Sequence, residues 1–355
     1  MELILSINPG STSTKYALYS GEELLFESTL RHSAADIARF SAVVDQREWR
    51  ESLILDELKS RGVELSSLRA VVGRGGLIKP IAGGIYEVND ALYNDTVNAT
   101  AEHACNLGAL IARSIAECSD EAKAYIADPV VVDEMDEVAH LGGHPLLPRH
   151  SVFHALNSKA VAHRYAKDSG VSYEGMNLIV AHLGGGVSVS AHRAGRVVDT
   201  TNALSGNGAF SPERSGRVEP MQLVEMCFSG EYSREQIGKM LIGAGGVVAH
   251  LGTNSMAEVV DRAQSGDEQA AKVMEAFVYN VAKDIGAMST VLKGAVDAII
   301  ITGGVAYNDS IFNLLESRIK WIANIIRYPG EDELEALAMS ALEVLRGERE
   351  ALEYC

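Results

Sequence analysis

The same short plan occurs twice in this chain, and that repetition limits the folds open to it. Residues 3–8 form an apolar run that breaks into Pro-Gly-Ser-Thr-Ser-Thr. A strand-like stretch near residues 15–19, a turn at Ser20-Gly21 and a third strand near 22–29 follow. At 177–202 the plan returns: an apolar run at 178–181, the turn Gly184-Gly185-Gly186, a strand at 187–192, the turn Ala194-Gly195 and a third strand. Gly10 precedes Gly21 by eleven residues, and Gly184 precedes Gly195 by eleven. Internal self-similarity of this kind predicts duplicated halves, each opening with a β-meander.

Strand-like and helix-like runs alternate along the remaining chain, which predicts an α/β fold. Ser33 with Asp36, and Ser255 with Glu258, have capping-box spacing. Residues 267–292 read as a long helix with Val273, Phe277, Val281 and Ile285 along one face. A buried strand at 296–301 ends in Thr302-Gly303-Gly304, a helix follows from about 309 to 323, and an amphipathic helix spans 332–346. At 355 residues the chain is expected to form two domains.

Composition narrows the function. The formal net charge of −17 disfavours nonspecific binding to nucleic acid or to an anionic membrane. Any anionic substrate would be held by a few local cations and backbone N–H groups. Cys105, Cys118, Cys227 and Cys355 are far apart with no C-x-x-C pair, so neither a disulfide framework nor a cysteine zinc site is indicated. The N-terminus lacks the features of a signal peptide, and no apolar run reaches the roughly 20 residues of a membrane span. A cytoplasmic, reduced setting is expected.

Glycine turns at 8–15, 184–186, 243–246 and 303–304 are the main chemical signal. Each alone is ordinarily a tight turn. At strand ends, however, glycine lets the backbone approach a phosphate with its N–H groups pointing inward. Residues 8–15 lack Walker A spacing and lead into a strand, and Gly243-Ala-Gly245-Gly246 has Val248 where the last glycine of a dinucleotide fingerprint would fall. The set suits a nucleoside triphosphate clamped between two related domains.

The motifs Ile7-Asn-Pro-Gly-Ser-Thr-Ser-Thr-Lys15, His182-Leu-Gly-Gly-Gly-Val-Ser188, Pro212-Glu-Arg-Ser-Gly216 and Ile301-Thr-Gly-Gly304 resemble the acetate/butyrate kinase family. That family lies within the acetate and sugar kinase, Hsp70 and actin superfamily. Glu102-His-Ala-Cys-Asn-Leu-Gly108 and Asp128-Pro-Val-Val-Val-Asp-Glu-Met135 are similar to the butyrate kinase branch. Together the motifs span residues 4 to about 340; singly they are weak, and their ordered set is specific. The resemblance implies two duplicated actin/Hsp70-like (ribonuclease H-like) domains with a nucleotide cleft between them. Residues 1–150 would form the first and 151–333 the second, with a helix at 334–355 packing back on the first.

The resemblance further implies Mg-ATP plus a short-chain carboxylate giving ADP and an acyl phosphate, in a homo-oligomer of two or more copies. Arg74 and Arg214 are similar to the two arginines that hold the carboxylate and the transferring phosphoryl group. Asp128 and His154 would lie at the reacting centre, with His182 lining it and His103 on the substrate side. Asn8, Ser11, Ser13 and Lys15 match the first phosphate loop. Gly184, Gly185, Gly186, Gly245, Gly246, Gly303 and Gly304 would complete the nucleotide site. Asn8 and Glu333 would serve the metal, Glu333 standing in a run with Glu331, Asp332 and Glu335. The chain departs from the acetate branch at Gly185, where that branch has asparagine.

The chemistry is coherent without the resemblance. A carboxylate with a pKa near ~4.3 is already ionised at neutral pH, so no general base is required. Charge neutralisation and in-line positioning are required, and guanidinium forks supply both. Asp128 reads either as a turn cap before Pro129 or as a group that orients an arginine or metal. His150 and His154, four apart on an expected helix, lack the H-E-x-x-H pattern and a third ligand. His140 and His144 flank an expected loop. No G-x-S-x-G elbow surrounds Ser11 or Ser13. Val130, Val131, Val132 and Met135 read as core, with an acyl pocket as the alternative. Rival readings are an acetate or propionate kinase and a nucleotide-gated binding protein of the Hsp70 or actin type.

Overall fold

Strand β1 (Leu3–Pro9) carries Ile4, Leu5 and Ile7, all fully buried, so it needs cover on both faces. A computed structural model describes residues 2–99, 102–204 and 206–355, and β1 lies near the middle of a six-stranded sheet in it. Its partners are β2 (Ser13–Ser20), β3 (Glu23–Arg31), β4 (Leu68–Arg74), β5 (Ile85–Glu87) and β6 (Lys123–Ala127), in the order β3-β2-β1-β4-β6-β5. The pairs β1/β2, β2/β3 and β5/β6 are antiparallel, while β1/β4 and β4/β6 are parallel. Leu5 and Ile7 join Leu107, Ile111 and Ile115 of the helix Asn106–Ala116 in one core. The helix Glu333–Leu345 lies across β1, β2, β4 and β6 and buries Leu334, Leu337, Ala338 and Ala341.

A second sheet repeats the plan. Strands β7 (Asn177–Leu183), β8 (Val187–Arg193), β9 (Arg196–Thr200), β10 (Ala298–Gly303) and β11 (Asn324–Pro329) stand in the order β11-β10-β7-β8-β9. β7/β8 and β8/β9 are antiparallel; β10 is parallel to both β7 and β11. Strand alternation divides β7 between two cores. Ile179 and Ala181 meet Phe277, Val281 and Ile285 of the helix Glu268–Val291, while Leu178 and Val180 meet Val161 and Ala162 of the helix Ala155–Ser169. The two meander turns also agree: Gly21 and Gly195 both adopt positive φ, at 59° and 78°. The fold is thus α/β with duplicated halves.

The chain divides into one unit comprising the residues up to Val132 with Asp332–Cys355, and a second comprising Asp133–Glu331. Residues 133–150, which the sequence analysis puts in the first half, belong with the second unit for identifiable reasons. Glu134 makes a buried ion pair with Lys159 at 2.9 Å and accepts the Val197 N–H. Asp136 N donates to Val198 O, and Arg149 donates to Asp199 and to Thr200 O.

Other local expectations change. His150 and His154 do not share a helix: His150 lies in an exposed loop, and the helix begins at Ala155 with His154 as its N-cap. Ser33 and Ser255 cap their helices, but the reciprocal capping box closes at Ser233–Gln236. Among the described residues no helix is long and apolar enough to cross a membrane.

Two histidines are held neutral by burial. His192 sits between Tyr173 Oη and Ser190 Oγ at 2.7 and 2.8 Å, and burial, with help from Lys159 and His163, pushes its pKa down to about 3. His32, buried beside Arg50, is pushed down to about 4. Below the unfolded value of about 6.5 the unfolded chain therefore binds more protons, and stability falls as pH falls. Urea unfolding should show this loss between pH 7 and 4.5, and His192→Asn should flatten the slope by up to about 1.4 kcal/mol per pH unit. An unchanged slope in the variant would show that His192 is not held neutral.

Candidate active site

In the first unit, the predicted residues gather where β1 and β4 end. The parallel register sets Ile7 opposite Gly73, so Asn8 and Arg74 emerge side by side. Glu333, the first residue of its helix, meets both. Asn8 Nδ2 donates to Glu333 Oε2; Arg74 Nη1 donates to the same oxygen at 2.9 Å and approaches Asn8 Oδ1 at 3.5 Å. A charge-assisted bond fixes the guanidinium. Gly75 and Gly76 follow Arg74 because any Cβ there would overlap Pro129 or Asn106. Asn106 Oδ1 in turn accepts the Leu77 N–H at 2.8 Å.

The loop from Asn8 to Lys15 turns tightly, with Gly10 N donating to Ser13 O at 2.7 Å. Ser11 and Lys15 are exposed and Ser13 is half-buried. His103 Nδ1 accepts the Cys105 N–H at 3.2 Å and stands 3.0 Å from Cys105 Sγ. Burial pushes that thiol up to about 11; nearby Arg74 opposes the rise and Glu333 adds to it. Asp128, buried just after β6, accepts the Gly84 N–H at 2.8 Å and holds a φ of 36°. A non-glycine residue in that region is strained, and such strain concentrates at functional sites. Val132 and Met135 are buried and Val131 packs on the first unit's core, in keeping with a core role.

In the second unit, the hairpin β7/β8 pairs His182 with Ser188 as β1/β2 pairs Asn8 with Lys15. The rings of His154 and His182 stack with centroids 3.7 Å apart. His154 Nδ1 is 2.9 Å from Ser188 Oγ. His182 Nδ1 faces Asn157 Nδ2, a donor, at 2.9 Å. With Asn157 donating, the His182 proton sits on Nε2, which lies 2.9 Å from Glu331 Oε1 but is not aligned to hydrogen-bond it. Of the acidic run that contains Glu333, Glu331 thus lies beside His182 while Glu333 pairs with Arg74.

Arg214 is half-buried, desolvation lowers its pKa with Glu213 opposing, and its Nη1 donates to Ala203 O at 2.5 Å. The guanidinium lies so close over Gly186 that a Cβ there would overlap Nη1 and come within 3.2 Å of His154 Cε1. Gly186, Arg214, His154 and His182 consequently form one cluster. Gly245 and Gly246 support it from behind: a Cβ on either would strike the backbone of Ser211, Arg214 or Ser215. Gly303, at φ 87°, similarly leaves room for the Leu183 backbone.

A cavity of about 440 Å³ adjoins this cluster, lined by Gly184, Gly185, Pro212, Asn254, Gly304 and Glu331 among others. Gly185 and Gly304 have open space where a Cβ would stand. Gly186, Gly245, Gly246 and Gly303 are not part of its lining.

Sequence reasoning missed the residues that hold these groups. Asp284 accepts the Ala209 N–H at 2.6 Å and pairs with Arg217, clamping the loop that carries Arg214. Burial nevertheless raises its pKa. A carboxylate on the apolar face of the long helix was a visible signal. Asn157, which faces His182, carried none, and Ser188, which meets His154, stood at the end of a quoted motif without a role of its own.

Residues 144–320 match the model of the acetokinase family. Butyrate kinase 1 of Clostridium acetobutylicum is 54% identical over 355 residues, covering 100% of both chains. The crystal structure of Porphyromonas gingivalis acetate kinase has a TM-score of 0.79 at 19% identity, covering 97% of this chain and 100% of that one. That of a propionate kinase from Francisella tularensis has a TM-score of 0.76 at 20% identity, covering 96% and 99%. These structures share the fold.

Asp284→Ala would leave the Ala209 N–H buried without an acceptor, and should lower the unfolding free energy by roughly 2–3 kcal/mol in urea titrations. A loss under about 0.5 kcal/mol, the range of ordinary surface changes, would show that other contacts hold the loop.

Proposed function

We infer that this chain, which belongs to the acetokinase family, is a butyrate kinase. It transfers the γ-phosphoryl group of ATP to the carboxylate of a short aliphatic acid, reversibly, giving an acyl phosphate and ADP. The observation that carries this reading is 54% identity, over the whole of both chains, to a butyrate kinase. Four free cysteines suit a cytoplasmic enzyme.

A carboxylate oxygen attacks the γ-phosphorus, a P–O bond forms there, and the bond to the β-phosphate oxygen breaks. No proton moves. The obstacle is repulsion between two anions, so the protein's task is charge placement. Arg74 and Arg214 are the cations assigned to it, and both are already fixed: one on Glu333, the other on Ala203 O. His182, with its tautomer set by Asn157, and His154, bonded to Ser188, supply oriented donors or acceptors beside Arg214. The cavity bounded by Gly184, Gly185 and Gly304 is assigned to the nucleotide. Asp128 is assigned to orient charged groups rather than to abstract a proton.

Magnesium fits the donors present. Asn8 Oδ1 and Glu333 offer hard oxygen atoms, and among the described residues no group of three or more His, Cys, Asp or Glu could cage a metal. Magnesium ordinarily keeps several waters and enters with substrate phosphates. Glu333, holding it through water, would neutralise phosphate charge.

Coupled ADP release with Mg-ATP across acids of two to five carbons tests the reading. Turnover should depend on acid and favour butyrate, each buried CH₂ contributing about 0.8 kcal/mol, or roughly fourfold. Preference for two or three carbons would favour an acetate or propionate kinase, and ATP binding without acid-dependent transfer would favour a nucleotide-gated binding protein. Arg214→Ala should slow turnover by about two orders of magnitude or more. Gly186→Ala, which displaces that guanidinium, should cost about a hundredfold without unfolding the chain; wild-type kinetics in either variant would remove Arg214 from the reaction.

A further inference from the structure

The most unusual charge in the first unit lies outside every motif. Arg50, on the helix Arg47–Ser60, is 1% exposed. Its Nη1 donates to Gly10 O at 2.8 Å, Ser13 O at 3.2 Å and Thr14 Oγ1 at 3.1 Å; its Nη2 reaches Ser11 O at 3.5 Å. Gln46 Oε1 takes the remaining donors, Nη2 at 2.7 Å and Nε at 3.1 Å. Every acceptor is neutral, and among the described residues no carboxylate pairs with this guanidinium. Burial lowers its pKa to about 10, which leaves it a cation at neutral pH.

Buried cations are ordinarily paired, because an uncompensated charge out of water is unfavourable. This one is instead spent on orienting a loop. Carbonyls 10, 11 and 13 turn inward onto Arg50, and carbonyl 12 accepts the His32 N–H at 2.9 Å. Thr14 Oγ1 is shared with His32 Nε2 at 2.8 Å, and His32 packs on Trp49 with ring centroids 4.7 Å apart. Ser11 and Thr12 are exposed, and because the C=O and N–H of a trans peptide point opposite ways, carbonyls 10 and 11 turned onto Arg50 direct the Ser11 and Thr12 N–H groups away from it. Successive N–H groups presented in this way make an anion-binding concavity.

We propose that Arg50 is a positioning residue for the loop from Gly10 to Thr14, and that a phosphate group of the nucleotide supplies its missing counter-charge. The proposal rests on the kinase reading and assigns the loop a buried cation behind its amides. It separates nucleotide from acid: loss of Arg50 weakens the first and spares the second.

The test uses the full chain with Arg50→Met, which removes the charge, and Arg50→Lys, which keeps it without the fork. Charge-assisted hydrogen bonds of this kind convert to about ten- to a hundredfold in affinity. In Arg50→Met the KM for ATP should rise by about that factor while the KM for butyrate stays within about twofold, and Arg50→Lys should recover part of the loss. An unchanged KM for ATP, equal rises for both substrates, or no difference between the two variants would overturn the proposal. If Arg50→Met fails to fold, the KM ratio in Arg50→Lys decides alone. If the wild type shows no acid-dependent turnover, the kinase reading fails separately; the rise in melting temperature with added ADP, read without acid, then decides the role of Arg50. A smaller rise in the variants supports it and an equal rise overturns it.

Discussion

Each sheet depends on one strand paired in two senses. β1 runs antiparallel to β2 and parallel to β4, as β7 runs antiparallel to β8 and parallel to β10. An antiparallel partner brings the chain back through a tight turn at the strand's end. A parallel partner finishes at the same edge and leaves its next residue there. Loop and cation are thereby delivered to one edge of the first sheet, where Asn8 opens the turn and Arg74 closes β4. In the second sheet the same edge carries His182, the glycine turn and Gly303. Candidate site groups at strand ends are a consequence of that pairing.

Clearance and charge then work together. The chain carries 48 acidic residues against 31 basic ones, so the cations proposed for anionic substrates would have to be shielded from stray pairing and held in place. Arg214 is shielded by burial and by its close approach to Gly186; Arg74 is held by a carboxylate that also meets Asn8. Glycine is used here as absence of a side chain, at Gly75 and Gly76 under Asn106 and Pro129, and at Gly245 and Gly246 under the Arg214 loop.

The duplicated meanders and the long helix were legible because period and turn chemistry are local. The eleven-residue spacing maps onto β2 and β8 with their positive-φ glycine turns, and Val273, Phe277, Val281 and Ile285 are all buried. Arg74 and Glu333 were legible as individuals through motif resemblance, but their contact was not, since 259 residues separate them. Residues that hold others were hidden. Arg50 reads as one more surface cation on a charged helix, and only the fold shows it beneath a loop forty residues earlier. The placement of 133–150 was missed because a buried Glu134–Lys159 pair leaves no pattern in composition.

The first unit is assembled from two pieces of chain, whereas the second is one continuous stretch from Asp133 to Glu331. During synthesis, therefore, the first sheet emerges complete in its strands yet lacks the helix that begins at Glu333, and its apolar face waits while about 200 further residues are made, tens of seconds at bacterial or slower elongation rates. The second unit has every strand and helix it needs once Glu331 has left the ribosome. Nascent chains thus pass through a window in which every strand of the first sheet has been made and Arg74 has no carboxylate to receive it.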